Sequence, residues 1–228
     1  MEGFPRAADR VLVIAPHPDD EVLGCGGTMA RLAEAGCNVE VAIVTEGKPP
    51  RYEREGVEKV RAEAAAAHAL LGIRATHYLD FPAAELDGVR HADLNARIGA
   101  LVDASAPDTM FLPFVGDIHL DHQLVFRSAM VAARPRRPNY PRTILAYETL
   151  SETNWSAPYL EPAFAPNFYV DISSTLDRKL AAFAAFESQC CVFPNERSPE
   201  AIRALAALRG ATVHRHAAEA FVLVREVI

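Results

Sequence analysis

Cysteine is scarce in this chain: four in 228 residues, with no C-x-x-C pair. Cys25 and Cys37 stand alone, and the adjacent Cys190 and Cys191 are poor candidates for bridging each other. That spacing excludes a disulfide framework and points to small buried thiols in a reducing compartment, with a metal role for Cys25 as the minority reading. Long apolar runs are missing too, being strand-length or broken by charge, which excludes a bilayer span. Basic excess is absent; the net charge of −7 argues against nucleic acid or an anionic membrane as partner. The opening "MEGFPRAADR" lacks the basic region, apolar run and small-residue site of a signal peptide. A cytoplasmic location follows as the expectation. Repeats and low-complexity tracts are absent as well.

What is present is enough apolar content, half of the residues, for one sizeable core, so a single domain over 1–228 is expected. Apolar runs alternate with helical patterns in the first half. Strands are predicted at 10–16, 38–45, 76–81 and 108–114, with helices at 26–36, 55–72, near 92–105 and 121–133. Strands that are apolar on both faces and separated by helices imply a parallel sheet covered on both sides. The fold class is therefore α/β, a Rossmann-like doubly wound three-layer sandwich with a mostly parallel sheet. After a Pro- and Arg-rich connection at 134–142, a strand is predicted at 143–150, an irregular loop at 151–170, helices at 174–189 and 198–209, and a last strand at 219–226. Within that one domain, residues 1–135 read as a Rossmann-like core and 136–228 as a less regular C-terminal part.

Ligands in such sheets sit beyond the carboxyl ends of the strands. Two clusters fall there. "HPDDE" follows the first strand and packs His17, Asp19, Asp20 and Glu21 into five residues; "GDIHLDHQ" follows the fourth and carries His119, Asp121 and His122. One carboxylate would cap the following helix. Three with a histidine repel one another unless something positive intervenes, and a divalent cation is the economical answer. Pro18 stiffens the turn, so His17 and Asp20 can converge on one point. Two imidazoles and a carboxylate suit zinc better than calcium or magnesium. "GCGG" lacks the spacing of a dinucleotide fingerprint; Gly26 and Gly27 are read as close-packing positions.

With these residues in view, the chain resembles the zinc-dependent PIG-L or LmbE-like de-N-acetylases. They include the N-acetylglucosaminyl-phosphatidylinositol deacetylases and the deacetylases of mycothiol and bacillithiol biosynthesis. The resemblance lies in "PHPDDEVLGCGG" and "HLDH", with weaker echoes in "VTEG", "RAEAAAAHALLG", "ESQ" and "AEAF". It implies one Zn2+ per chain held by His17, Asp20 and His122, with Asp19 as general base. It implies His119 as the group that stabilises the oxyanion or protonates the leaving amine, and Asp121 as the acid that orients His119. The implied partner is a small-molecule N-acetylated sugar or glycoconjugate; homo-oligomer formation is left open. Glu21 is read either as a substrate or supporting contact or as a solvated helix residue. Arg61 matches a substrate-contacting arginine of some relatives, and Trp155 with Tyr159 is a candidate stacking platform for a sugar ring. The resemblance also implies that 1–135 is the metal-binding core and 136–228 the substrate-capping part; in the latter, Phe186 and Ala217 depart from residues common in the family, which leaves substrate identity open. Two further readings remain: a zinc amidase acting on a larger acyl group or a thiol-sugar conjugate, and a silent sugar-binding homologue.

Overall fold

The computed structural model describes residues 9–136 and 138–228, so the readings made on residues 1–8 and on Arg137 lie outside the described residues. Six α-helices and seven strands are found among the described residues. In chain order they are β1 (Arg10–Ala15), α1 (Asp20–Glu34), β2 (Asn38–Glu46), α2 (Arg54–Leu71), β3 (Ala75–Pro82), α3 (His91–Ser105), β4 (Thr109–Pro113), α4 (Leu120–Ala132), β5 (Thr143–Tyr147), β6 (Phe168–Asp171), α5 (Leu176–Ala184), α6 (Pro199–Thr212) and β7 (Ala218–Glu226).

The strands form one sheet in the order β3-β2-β1-β4-β5-β7-β6. From β3 to β5 every pairing is parallel, and β7 runs antiparallel between β5 and β6. The α/β, mostly parallel reading holds. Two cores cover the two faces. One is built on Val11, Val13, Val41 and Phe111 with α1 and α5, the other on Leu12, Ile14, Met110 and Leu112 with α3 and α4. Alternate residues of one strand thus face opposite cores, which is why these strands are apolar throughout.

Several elements differ from expectation, among them α5, expected to reach 189 and ending at Ala184. The first helix begins at Asp20, six residues before the expected 26, because Asp20 and Glu21 stabilise its first turn against the positive end of the helix dipole. The stretch 151–170, expected as loop, ends in the edge strand β6, which pairs only with β7. Four residues are too short for a periodic signal.

Helix α1 is buried almost throughout and packs closely because of its glycines. A Cβ on Gly24 would lie 2.3 Å from Cδ2 of Tyr147, and one on Gly27 would lie 2.8 Å from Ile172. The carboxylate of Glu219, from "AEAF", accepts the N–H of Gly27 at 2.9 Å and of Thr28 at 2.7 Å. Lys179 donates to that carboxylate at 2.6 Å and to the Leu23 carbonyl at 2.7 Å. This buried ion pair locks α1 to β7 and α5.

Topology positions the site. The strand order reverses at β1, which lies between β2 and β4, and the crevice beyond the carboxyl ends of β1 and β4 is the switch point where doubly wound sheets bind ligands. Both sequence clusters open there.

Candidate metal centre and active site

The turn after β1 is fixed before any ligand arrives. The Pro16 carbonyl accepts both the N–H (3.0 Å) and the hydroxyl (2.8 Å) of Thr45, tying the turn to β2. Asp19 then adopts φ 102°, ψ −25°, a left-handed conformation that a residue with a β-carbon rarely takes. Glu21 holds it there: one carboxylate oxygen accepts the Asp19 N–H at 3.0 Å. The other oxygen lies 3.0 Å from Nε2 of His68, whose Nδ1 lies 2.7 Å from the Thr76 hydroxyl. A buried relay from α1 through α2 to β3 therefore braces the turn.

Three donors converge beyond it. Nδ1 of His17 and Nε2 of His122 each lie 3.2 Å from the same Asp20 oxygen. Behind each imidazole, on the nitrogen facing away from Asp20, stands another carboxylate. Nε2 of His17 is 3.1 Å from Asp121, and Nδ1 of His122 is 2.8 Å from Asp117. The backbone N–H groups of Ala84 (2.7 Å) and Leu86 (3.2 Å) anchor Asp121, and the Thr153 hydroxyl (2.6 Å) anchors Asp117. Imidazoles that bind metals are oriented in this way.

The donor set suits a cation. Nε2 of His122 is buried and, although close to Asp20, makes no hydrogen bond, a costly state for a nitrogen unless an ion meets it. Burial opposes a charge on His17, yet Asp121 and Asp20 raise its pKa to about 9. Burial likewise opposes a charge on His122, and Asp20 and Asp117 raise it to about 10. Against the same burial, the two imidazoles hold Asp20 well below the usual carboxylate range. The arrangement favours two positive charges, the charge a divalent cation would bring in place of two protons. A second grouping, His17, His119 and Asp121, also lies within 4.8 Å. It fits less well, because Asp121 is already engaged by two backbone N–H groups and by His17. Cys25 belongs to neither grouping.

Asp19 sits beside the triad, buried and ion-paired with Arg197. Burial pushes its carboxyl up to about 7 in spite of the guanidinium. His119 is the N-cap of α4, and its Nδ1 accepts the Asp121 N–H at 3.1 Å. In that arrangement the ring proton resides on Nε2. Burial, with the neighbouring imidazoles of His17 and His122, lowers its pKa, and its ring centroid lies 4.5 Å from that of His17. These groups line a cavity of about 410 Å³ together with Glu152 and Arg61.

The cavity brings together His17, Asp19, Asp20, His119 and Arg61, with His122 buried behind Asp20; the Arg61 guanidinium binds Glu46 and Asp80 and lies 4.5 Å over the Tyr78 ring. Asp121 is nearby but serves otherwise than expected: its carboxylate holds His17, and it meets His119 only through its backbone N–H. Glu21 is fully buried beneath the turn and does not line the cavity, since both its oxygens are taken by Asp19 and His68. Trp155 is 63 % exposed, held by its indole N–H to Glu196, and Tyr159 is 97 % exposed; neither lines the cavity. Sequence reasoning missed Arg197, Asp117, Thr153 and His68. Only Asp117 carried a signal, two residues ahead of "HLDH"; the others come from irregular segments or a helix interior.

The family model described as "PIG-L: GlcNAc-PI de-N-acetylase" matches residues 12–133. The diacetylchitobiose deacetylase of Thermococcus kodakarensis is 29 % identical over 199 residues, 82 % of this chain and 71 % of that one. A probable N-acetyl-alpha-D-glucosaminyl L-malate deacetylase 2 of Bacillus cereus is 31 % identical over 78 % of this chain and 83 % of its own length. Among solved structures, the conserved protein TT1542 of Thermus thermophilus superposes with TM-score 0.79 at 27 % identity, covering 96 % of both chains. The 4-carboxy-2-hydroxymuconate hydratase of Pseudomonas putida superposes with TM-score 0.75 at 22 % identity, covering 96 % of this chain and 97 % of that one. That last likeness concerns the fold alone.

Proposed function

Since this chain belongs to the PIG-L family, we propose that it is a zinc-dependent hydrolase releasing acetate from an N-acetylglucosamine-type sugar or glycoconjugate. The observation that carries this reading is the convergence of His17, Asp20 and His122, each imidazole backed by a carboxylate, with buried Asp19 at their side. Both named deacetylase relatives support the N-acetyl sugar as substrate class. The fold by itself does not select this chemistry, as the hydratase likeness makes plain.

Zinc is the ion proposed because two imidazoles and one carboxylate are its usual ligands in catalytic sites, which keep a position open. When bound, it supplies Lewis acidity, polarising the amide carbonyl and making water easier to deprotonate. The remaining work falls to the chain. Asp19 accepts a proton from the attacking water, and its raised pKa suits a group that must also give that proton back. Arg197 keeps the carboxylate in one orientation. His119 offers its Nε2 proton as a hydrogen bond to the oxygen that becomes negative as the carbonyl carbon turns tetrahedral. With Nδ1 occupied by a backbone N–H, His119 serves as a donor, and Asp19 returns the proton to the departing nitrogen. Water oxygen has then joined the acetyl carbon, the C–N bond has broken, and acetate and an amine remain.

The test is acetate release from a panel of N-acetyl sugars, with metal content measured on the same sample. A strong chelator should abolish release and zinc should restore it. Asp19→Asn should keep its zinc and lose about 10²- to 10⁴-fold in turnover, the usual range for a general base. Full activity after complete metal removal, or in that variant, would overturn the assignment.

A further inference from the structure

The charge a substrate can bring into the cavity is decided by which of its ionic groups are already paired. Three lysine or arginine side chains line it, and each is met by carboxylate. Arg61 binds Glu46 and Asp80. Lys59 lies 3.7 Å from Glu63 and 3.9 Å from Glu187. Arg197 binds Asp19. The Nε atoms of Arg61 and Arg197 make no hydrogen bond, but both are buried out of reach. Lys48, next along the chain from the cavity wall, is turned to Glu46.

The carboxylates are differently placed. Glu53 and Glu152 both line the cavity, and among the described residues neither forms an ion pair. Glu152 acts on Arg197 electrostatically, yet Arg197 contacts Asp19, so one guanidinium stands against two carboxylates. A divalent ion at His17, Asp20 and His122 would not reverse this sign, because Asp20, Asp117 and Asp121 surround it with three negative charges.

A phosphate or carboxylate entering this cavity would shed water, find no unpaired cation and lie against the half-buried carboxylate of Glu152 and the exposed one of Glu53. An ammonium group would find one or both of them. Resting on the deacetylase reading above, we propose that the cavity admits neutral or cationic amino sugars and rejects anionic conjugates, and that Glu152 is a specificity-determining residue for the cationic ones.

Three compounds test this on the zinc-loaded protein: neutral N,N'-diacetylchitobiose, its mono-N-acetyl form with a free amine on the reducing-end sugar, and anionic N-acetylglucosaminyl malate. The anionic compound should show kcat/KM at least about tenfold below the neutral one, the scale of one partly buried charge several ångströms away. Equal or better turnover of the malate conjugate overturns the inference and leaves the deacetylase reading intact. Acetate release from none of the three sinks the deacetylase reading instead. Calorimetric affinities of the same compounds then decide the charge preference, and equal affinity for the anionic compound overturns it. For Glu152, the readout is the cationic-to-neutral ratio, which should fall about threefold or more in Glu152→Gln. Should that variant not fold, the same ratio in the parent protein should fall as salt is raised from about 50 to about 500 mM. A ratio indifferent to the substitution, or to salt where salt must stand in for it, removes Glu152 from the account.

Discussion

Replacing Asp117 asks whether the carboxylate behind His122 is what prepares the metal site. Its one oxygen lies 2.8 Å from Nδ1 of His122 and its other accepts the Thr153 hydroxyl at 2.6 Å, with Asp117 and His122 both fully buried. The bond holds the Nδ1 proton in place and so leaves Nε2 free to bind the ion. In Asp117→Ala, the ring loses that restraint and the Thr153 hydroxyl loses its acceptor. Loss of such a supporting carboxylate typically weakens metal binding by about 10- to 100-fold, or roughly 1.4 to 2.7 kcal/mol. The metal-free fold also suffers: buried groups left without partners cost about 2 kcal/mol. For a chain this long, that lowers the melting temperature by roughly 4 to 8 °C. Asp117→Asn is the graded control, because its amide oxygen still accepts from Nδ1 while the charge is gone. Its loss should lie between the parent and the alanine variant. The assay is competition for zinc against a fluorescent chelator at fixed pH, with thermal melts of the metal-free proteins alongside. An alanine variant binding zinc within twofold of the parent would refute the reasoning, whatever happened to stability.

Other perturbations probe other parts of the same account. Adding zinc to the chelator-treated protein to about 1,000 times its dissociation constant should stabilise it by about 4 kcal/mol, read as a rise in melting temperature that follows free zinc; a flat titration would deny the site. Lys179→Met strands the buried Glu219 carboxylate without its counter-ion and should cost about 3 to 5 kcal/mol. Lys179→Met combined with Glu219→Gln should recover part of that in denaturant titration, and equal loss in both would show that the ion pair is not the cause. Trp155→Ala should change kcat/KM less than about twofold, since this exposed indole does not line the cavity and isolated surface substitutions rarely propagate. A tenfold rise in KM would restore its reading as a stacking platform.

The parts of the candidate site that were legible in the sequence are those whose side chains cluster along the chain. "HPDDE" and "HLDH" each follow an apolar strand, so strand alternation alone brings them to one edge of the sheet. The bracing groups were not legible, because they arrive from elsewhere and their types are common. Arg197 lies in a loop rich in charged and turn residues, Thr153 in a stretch without periodicity, and His68 is one of many residues on an Ala-rich helix. Glu21 was visible with two readings open; the solvated one fails because α1 is sunk between the sheet and α5, and the supporting contact is the one seen, to the Asp19 N–H and His68. Trp155 was the opposite case, an aromatic whose rarity drew attention to a surface position. Within the single expected domain, the two parts divided near residue 135 meet at the site. Thr153 and Arg197 from the later part reach Asp117 and Asp19 of the earlier one, and a single sheet runs through both parts.

The left-handed backbone of Asp19 explains how two adjacent carboxylates can hold different protonation behaviour. In a regular turn Asp19 and Asp20 would compete for the same counter-charges. The reversal at φ 102° separates their partners: two imidazoles for Asp20 and one guanidinium for Asp19. Asp20 is consequently held well below the carboxylate range, while burial outweighs the guanidinium and lifts Asp19 to about 7. Such a conformation costs about 1 to 3 kcal/mol in a non-glycine residue, and it persists because three contacts fix it. Glu21 takes the Asp19 N–H at 3.0 Å, and the Asp19 carbonyl accepts from Val22 at 3.0 Å and Leu23 at 2.9 Å as α1 begins. Glycine would relieve the strain and remove the carboxylate. If Asp19 is the general base proposed above, the strained conformation is kept for the sake of its carboxylate, and Glu21 with His68 is what the fold sets against it.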